Sequence, residues 1–487
     1  MEVDCFGGTE ERVVGGKKVL KERTNNAYML FYEREEWVEA SENVGEKICK
    51  PFERPSDPNS LFLSSPSYHS VWKDNEEFDK LVQSFDSTYF QFVEEISKHS
   101  LATKAEECTQ QVYENVRVSV KFFTNIVLHV KDTNLCKPYF SFLKTHLPST
   151  PHACKVLLSV FCSREMLSFY LLKNRVTESR ELLSTLLIDS LRALHKEEPL
   201  VDANPQKEST LLHLASKMVQ VVQAGISSSW RNFVQFFSLL HSFASLSPLT
   251  SQFLVQSRLI GSLVHLYLGR DSPKNSRPAI TNPMSTKTTE PDFSSLISLL
   301  VRLTTCCMTD GCEEGPLETM VANTNFVMSS ECNSMLLSPN FLSKLCQEVN
   351  IYSEGLSIFT HLSFNSKQGT FSVMQGVLKA ISNAKEKQMP SVWMSAEALL
   401  GIVDEHQEGR TKYFINNLFE VLARRQKEKY VLRTAHAFLS TVAKDFELVM
   451  EWLSENKEWY EWLESCVPSP DNSDIDTDEL EEENEDS

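Results

Sequence analysis

The chain has 487 residues, 41% hydrophobic and 23% charged, with a formal net charge of −18. That length suits about two to four domains with a sizeable buried core, and 15 glycines with 19 prolines are too few for a turn-rich all-β fold, which needs glycine wherever φ is positive. Ten acids and no bases lie between Asp471 and Asp486, so the rest of the chain carries −18 + 10 = −8, and with no basic stripe visible it is unsuited to sequence-independent nucleic-acid binding.

In chain order, the first element is a strand at Asn26–Tyr32. Tyr28, Leu30 and Tyr32 alternate with Met29 and Phe31, so both faces are apolar and both expect cover. The first 34 residues are therefore expected to be disordered or to leave an exposed strand edge. Residues 50–68, with Pro51, Pro55, Pro58 and Pro66, read as a linker.

From about Ser70 the period becomes helical. Val116, Val120, Phe123, Val127 and Val130 fall at spacings of 4-3-4-3, one stripe of a helix. Leu183, Leu187, Leu191 and Leu194 repeat it, widened by Leu182 and Leu186. Trp230, Phe233, Phe237, Leu240 and Ala244 do so again, followed later by Phe414, Leu418, Val421 and Leu422, and by Val431, Ala435, Phe438, Leu439 and Val442. Wide apolar stripes on successive helices predict an all-α protein of stacked helical hairpins, an armadillo- or HEAT-like solenoid, with an irregular helical bundle as the alternative. No fixed-period repeat signature is present. Prolines 273, 278, 283 and 291 mark residues 270–292 as a long disordered loop, and 309–316 as a shorter polar turn. The acidic tail has little apolar surface to bury and is expected to stay unfolded.

No apolar run approaches the ~18 residues of a membrane span, and the opening residues lack a secretory h-region. The twelve cysteines then read as reduced, mostly buried thiols of a cytoplasmic or nuclear protein. His129 with Cys136, and Cys306-Cys307 with Cys312, lack structural-zinc spacing, so no metal or cofactor is expected. His195, His213, His241 and His265 are expected as core or boundary residues. The candidate recognition surface is Trp452, Trp459, Tyr460 and Trp462, with Trp452 and Trp459 seven apart on one helical face; such aromatics dominate interface energetics. The alternative is a helix that caps the stack.

Three stretches carry a family resemblance: Cys5-Phe6-Gly7-Gly8, Asn26-Ala27-Tyr28-Met29-Leu30-Phe31-Tyr32-Glu33-Arg34, and Tyr68-His69-Ser70-Val71-Trp72-Lys73-Asp74-Asn75. The second resembles the last strand of a ubiquitin-specific protease catalytic domain. Together the three resemble the large fat facets-like deubiquitinases, in which that domain lies between armadillo-like helical regions. The resemblance implies that residues 1–37 are the end of such a domain, followed by a linker at 38–69. Helical regions at 70–269 and 293–466 then flank the 270–292 loop, with the acidic tail at 467–487. The family's Gly-Asn-Thr-Cys type box, its Gly-His-Tyr type box and its zinc-binding Cys-x-x-Cys pairs are absent from these 487 residues. Cys5 inherits no catalytic role, and no catalytic residue is assigned. The expectation is a C-terminal helical portion of a thiol-dependent ubiquitin hydrolase, inactive alone, that binds ubiquitinated substrates or regulators. The alternative is a non-catalytic helical adaptor. In either case the partners are proteins, not nucleic acid or membrane.

Overall fold

The computed structural model describes residues 9–14, 17–22, 66–83, 86–102, 110–130, 133–174, 176–200, 209–226, 229, 232–269, 291–307, 328–364 and 366–466. The strand expected at Asn26–Tyr32, Trp230, most of the 270–292 loop, the 309–316 turn and the acidic tail lie outside them. The chain divides into two compact units, Met1–Phe78 and Asp79–Ser487.

The first unit contains a hairpin that the sequence reading missed. Strands β1 (Thr9–Val14) and β2 (Lys17–Glu22) pair antiparallel, from Thr9 opposite Glu22 to Val14 opposite Lys17. Only Gly15-Gly16 separates them, the dipeptide that two-residue hairpin turns favour. A helix, α1 (Pro66–Gln83), starts with proline at its first position, where the missing N–H costs nothing.

The second unit is helical throughout its described residues. Its first part comprises α2 (Ser87–Ala102), α3 (Gln110–Asn125), α4 (Thr133–His146), α5 (Pro151–Val160), the short α6 (Arg164–Leu167) and α7 (Thr177–Glu197). Next come α8 (Thr210–Gln223), α9 (Phe233–Ala244), α10 (Pro248–Gln256), α11 (Leu259–Tyr267) and α12 (Ser294–Thr305). Then follow α13 (Ser330–Leu336), α14 (Pro339–Glu348), α15 (Leu356–Ser363), α16 (Lys367–Asn383) and α17 (Met389–Leu400). The last are α18 (Gln407–Arg424), α19 (Lys429–Asp445), α20 (Glu447–Glu455) and α21 (Lys457–Cys466).

Most of these helices pack in two rows, with α2, α4 and α10 set against them. One row runs α3, α5, α7, α9, α12, α15, α17, α19, α21, each against the next; the other runs α6, α8, α11, α13, α14, α16, α18, α20. Contacts between near neighbours in sequence, repeated along the chain, mark a solenoid-like stack rather than a bundle around one centre. The stripes read from the sequence form its interior: Phe123 is 1% exposed, and Leu183, Leu187, Phe237, Phe414, Leu418 and Val431 are fully buried. Tyr139, Tyr267 and several phenylalanines fill the same core, and large buried rings dominate such energetics.

One close joint is α14 on α16, where glycine is required. A Cβ built on Gly376 would lie 2.4 Å from the Leu342 Cβ, so the helices must separate to admit a methyl. Gly376→Ala is expected to destabilise by about 1–3 kcal/mol through overpacking, although alanine is the better helix former by up to about 1 kcal/mol. Gly409, in the first turn of α18, has open space around its Cβ position, and there Gly409→Ala should stabilise by about 0.5–1 kcal/mol. Urea midpoints of the two variants should move in opposite directions.

Candidate partner-binding surface

The last two helices carry the aromatic cluster that the sequence singles out. Asn456 ends α20 with φ −117° and ψ 46°, and its side-chain amide donates to the Trp452 carbonyl at 2.9 Å. Trp452 and Trp459 therefore stand on two helices rather than on one face of a continuous helix. The helix ends there as Asn456 leaves the helical range, its backbone N–H and its side-chain amide both donating to the Trp452 carbonyl.

Phe419 of α18 reunites the two tryptophans. The Trp452 ring stacks on it at 5.4 Å and 15°, and Trp459 packs against it at 5.4 Å and 36°. Trp452 is 6% exposed, and its indole N–H donates to the Asn416 Oδ1 at 3.0 Å. Trp459 is 41% exposed and meets Trp462 edge-on at 6.1 Å. Tyr460 is turned elsewhere. Its ring stacks on His436 of α19 at 5.5 Å, and its hydroxyl lies 3.2 Å from the Ser440 Oγ and 3.3 Å from the His436 Nε2. The four residues thus split into a buried anchor, a ridge of exposed Trp459 and half-buried Trp462, and a tyrosine bound to α19. Leu463, which the sequence reading did not name, is fully buried and pins α21 down.

Tyr460 borders an open groove of about 650 Å³ whose lining includes Lys444, Met450, Leu453, Lys457 and Glu461. Met450 is 53% exposed. An exposed flexible thioether beside aromatics is a surface that adapts to a protein partner. A second groove, of about 720 Å³, lies between α16 and α18, lined by Lys367, Phe371, Met374, His406, Arg410 and Tyr413.

Cys154, Cys162 and Cys346 have the environment of inert thiols. Burial pushes Cys154 up to about 12, Cys346 to about 12 and Cys162 to about 11, which leaves almost no thiolate near neutral pH. Cys306 and Cys307 differ. Their sulfurs lie 3.9 Å apart, and both donate to the Leu303 carbonyl, at 3.1 and 3.2 Å. The hydrogen bond from Cys307 pulls Cys306 down, and the same contact pushes Cys307 up. Among the described residues no group of three or more His, Cys, Asp or Glu could hold a metal ion, and no helix is long and apolar enough to cross a membrane.

Of the four histidines noted in the sequence, His195, His241 and His265 are half-buried at helix boundaries, and His213 is exposed. Among the described residues the buried one is His361, 5% exposed, which no local pattern distinguishes. Its Nε2 lies 2.9 Å from the Cys307 carbonyl, so that nitrogen carries the proton and donates. Its Nδ1 is buried without a partner. Desolvation holds the ring's pKa below its ordinary 6.5 because a second proton would charge a group that water cannot reach. The unfolded chain therefore binds the proton more readily than the folded one, and the folded state loses stability as pH falls below about 6.5. His195 and His241 are also lowered by burial and act with the same sign. His361→Gln should flatten part of the fall in urea midpoint between pH 7 and pH 5; an unchanged slope would remove His361 as its source.

Residues 164–401 match a family described as Domain of unknown function (DUF3517), on helices α6 to α17. The mouse protein Ubiquitin carboxyl-terminal hydrolase 34 is 22% identical over 295 residues, covering 56% of this chain and 8% of its own length. The Drosophila melanogaster Ubiquitin carboxyl-terminal hydrolase puf is 24% identical over 210 residues, covering 41% of this chain and 5% of its own. The crystal structure of an engineered protein covers 80% of this chain and 96% of its own at 13% identity, but with a TM-score of 0.28 that likeness says nothing about fold. The chain spans less than a tenth of the hydrolases it matches, and it is related to the large ubiquitin-specific proteases.

Proposed function

We propose that this chain is a helical scaffold of a large deubiquitinase, holding ubiquitinated substrates or regulators in the cytoplasm or nucleus while hydrolysis is carried out by groups outside these 487 residues. The observation that carries the reading is where the family match falls. It covers helices α6 to α17 of the two-row stack, and in that stack burial raises the thiols of Cys154, Cys162 and Cys346. A cysteine protease needs a thiolate beside an imidazole; His361 reaches the Cys307 backbone carbonyl instead. The Trp459–Trp462 ridge, with Trp459 exposed on an aromatic base, supplies the kind of anchor that protein interfaces use. Free, mostly buried thiols suit a reducing compartment.

The test is direct. Purified full-length chain should release no fluorophore from a ubiquitin–coumarin conjugate, and a ubiquitin vinyl-sulfone probe should label none of its cysteines. Turnover, or labelling of any cysteine, would overturn the non-catalytic reading.

A further inference from the structure

Two neighbouring loops gather cations that the sequence scatters over some fifty positions. Arg425, at the end of α18, reaches across to the loop after α16. Its guanidinium donates to the Ile381 carbonyl and, at 2.9 Å, to the Ala384 carbonyl, while its Nε donates to Glu428 at 2.8 Å. This clamp sets the α16–α17 and α18–α19 loops side by side. Around it Lys385, Lys387, Lys427, Lys429 and Arg433 are exposed, and none makes an ion pair among the described residues. The acids of the same loops are Glu386 and Glu428, and the clamp engages Glu428. In a chain of net charge −18, five unpaired cations along one edge call for an anionic occupant.

The direction of the last helix says which. Tyr460 reaches Ser440 and His436, and one turn later Glu464 lies 3.8 Å from His436. Thus α21 runs antiparallel to α19, and Cys466 heads toward the start of α19, where Arg433 and Lys429 stand. From His436 back to Lys429 the helix rises only about 10 Å. The five residues from Cys466 to Asp471 can span about 16 Å, and the ten acids begin there.

We infer that the acidic segment Asp471–Asp486 docks in cis on the cationic edge formed by Lys385, Lys387, Lys427, Lys429 and Arg433. The tail thereby screens that edge from acidic partners. Its hold is electrostatic and weakens as the screening length drops from about 10 Å at 0.1 M salt to about 3 Å at 1 M.

A zero-length carbodiimide cross-linker, applied to an equal mixture of isotope-labelled and unlabelled full-length chain, tests this. At low salt, peptide mapping should join the acids of 471–486 to Lys385, Lys387, Lys427 or Lys429 within one copy, and high salt should abolish the links. Links between copies only, links spread over all lysines, or none at all would each overturn the inference. A second measurement avoids the cross-linker. A labelled peptide of residues 467–487 should bind a chain whose tail acids are changed to Asn and Gln at least about 10-fold more tightly than the unaltered chain, because the tethered tail competes at high effective concentration. The triple variant K427E/K429E/R433E should lose that binding. Equal affinity for the two chains would mean that the tail leaves the edge vacant.

Discussion

Replacing Arg410 by methionine is expected to cost about 3–5 kcal/mol of stability, the usual range when one partner of a buried ion pair is removed. Arg410 lies in the first turn of α18, and its side chain and that of Asp404 are both fully shielded from solvent. Its Nη1 lies 3.1 Å from one Asp404 oxygen and 3.3 Å from the other. Its Nη2 donates to the Ile402 carbonyl, and Asp404 also accepts from the His406 amide at 3.1 Å. The pair therefore ties the α17–α18 connection to α18. With Arg410 gone, Asp404 keeps a carboxylate where water cannot solvate it. The partner variant Asp404→Leu strands the guanidinium and should cost a similar amount. The double variant D404L/R410M removes both charges, so it should cost clearly less than the sum of the two single changes, by about 2 kcal/mol or more of coupling. Urea unfolding with matched m-values measures all three. Additive losses would mean that the two charges do not stabilise each other.

Asp404 and Arg410 also show where sequence reading stops. Six residues apart in a polar stretch, they look like solvated surface charges, and only the packing of α16 and α17 around them removes the water. His361 is hidden for the same reason. The apolar stripes were legible because a helix that buries one face must repeat every three or four residues: Val116, Val120 and Phe123, or Phe414, Leu418 and Leu422, announce their buried faces locally. The two-row order was not legible, since it depends on which helix meets which, and helices of unequal length leave no fixed period to read. The β1–β2 hairpin was legible in principle. Gly15-Gly16 between two six-residue runs is a turn signal, but the charges of those runs (Glu10, Glu11, Lys17, Lys18 and Lys21) masked it. At the aromatic cluster the seven-residue spacing misled. A heptad implies one face only if the helix is unbroken, and Asn456 interrupts it.

Trp452→Ala is expected to destabilise the C-terminal end of the stack by about 3–5 kcal/mol, the range for deleting a buried aromatic, whereas Trp459→Ala should cost no more than about 1 kcal/mol. Trp452 is 6% exposed, stacks on Phe419 and donates its indole proton to Asn416. Its removal leaves a cavity beneath α20 and breaks the indole's hydrogen bond to Asn416. Trp459 is 41% exposed, so truncating it removes contact area on one side only, and its Phe419 neighbour stays covered by Trp452. Binding should show the reverse order. An exposed tryptophan at the centre of an interface loses 2 kcal/mol or more when cut to alanine, about 30-fold in affinity. Trp459→Ala should therefore abolish capture of a partner while the protein's thermal transition barely moves. Trp452→Phe keeps the stacked ring but not the indole donor, and it should recover most of the stability lost in the alanine variant. If Trp452→Ala folds as well as the unaltered chain, the aromatic base under the ridge is not structural. If Trp459→Ala leaves every partner bound, the ridge serves only to close the end of the helical stack.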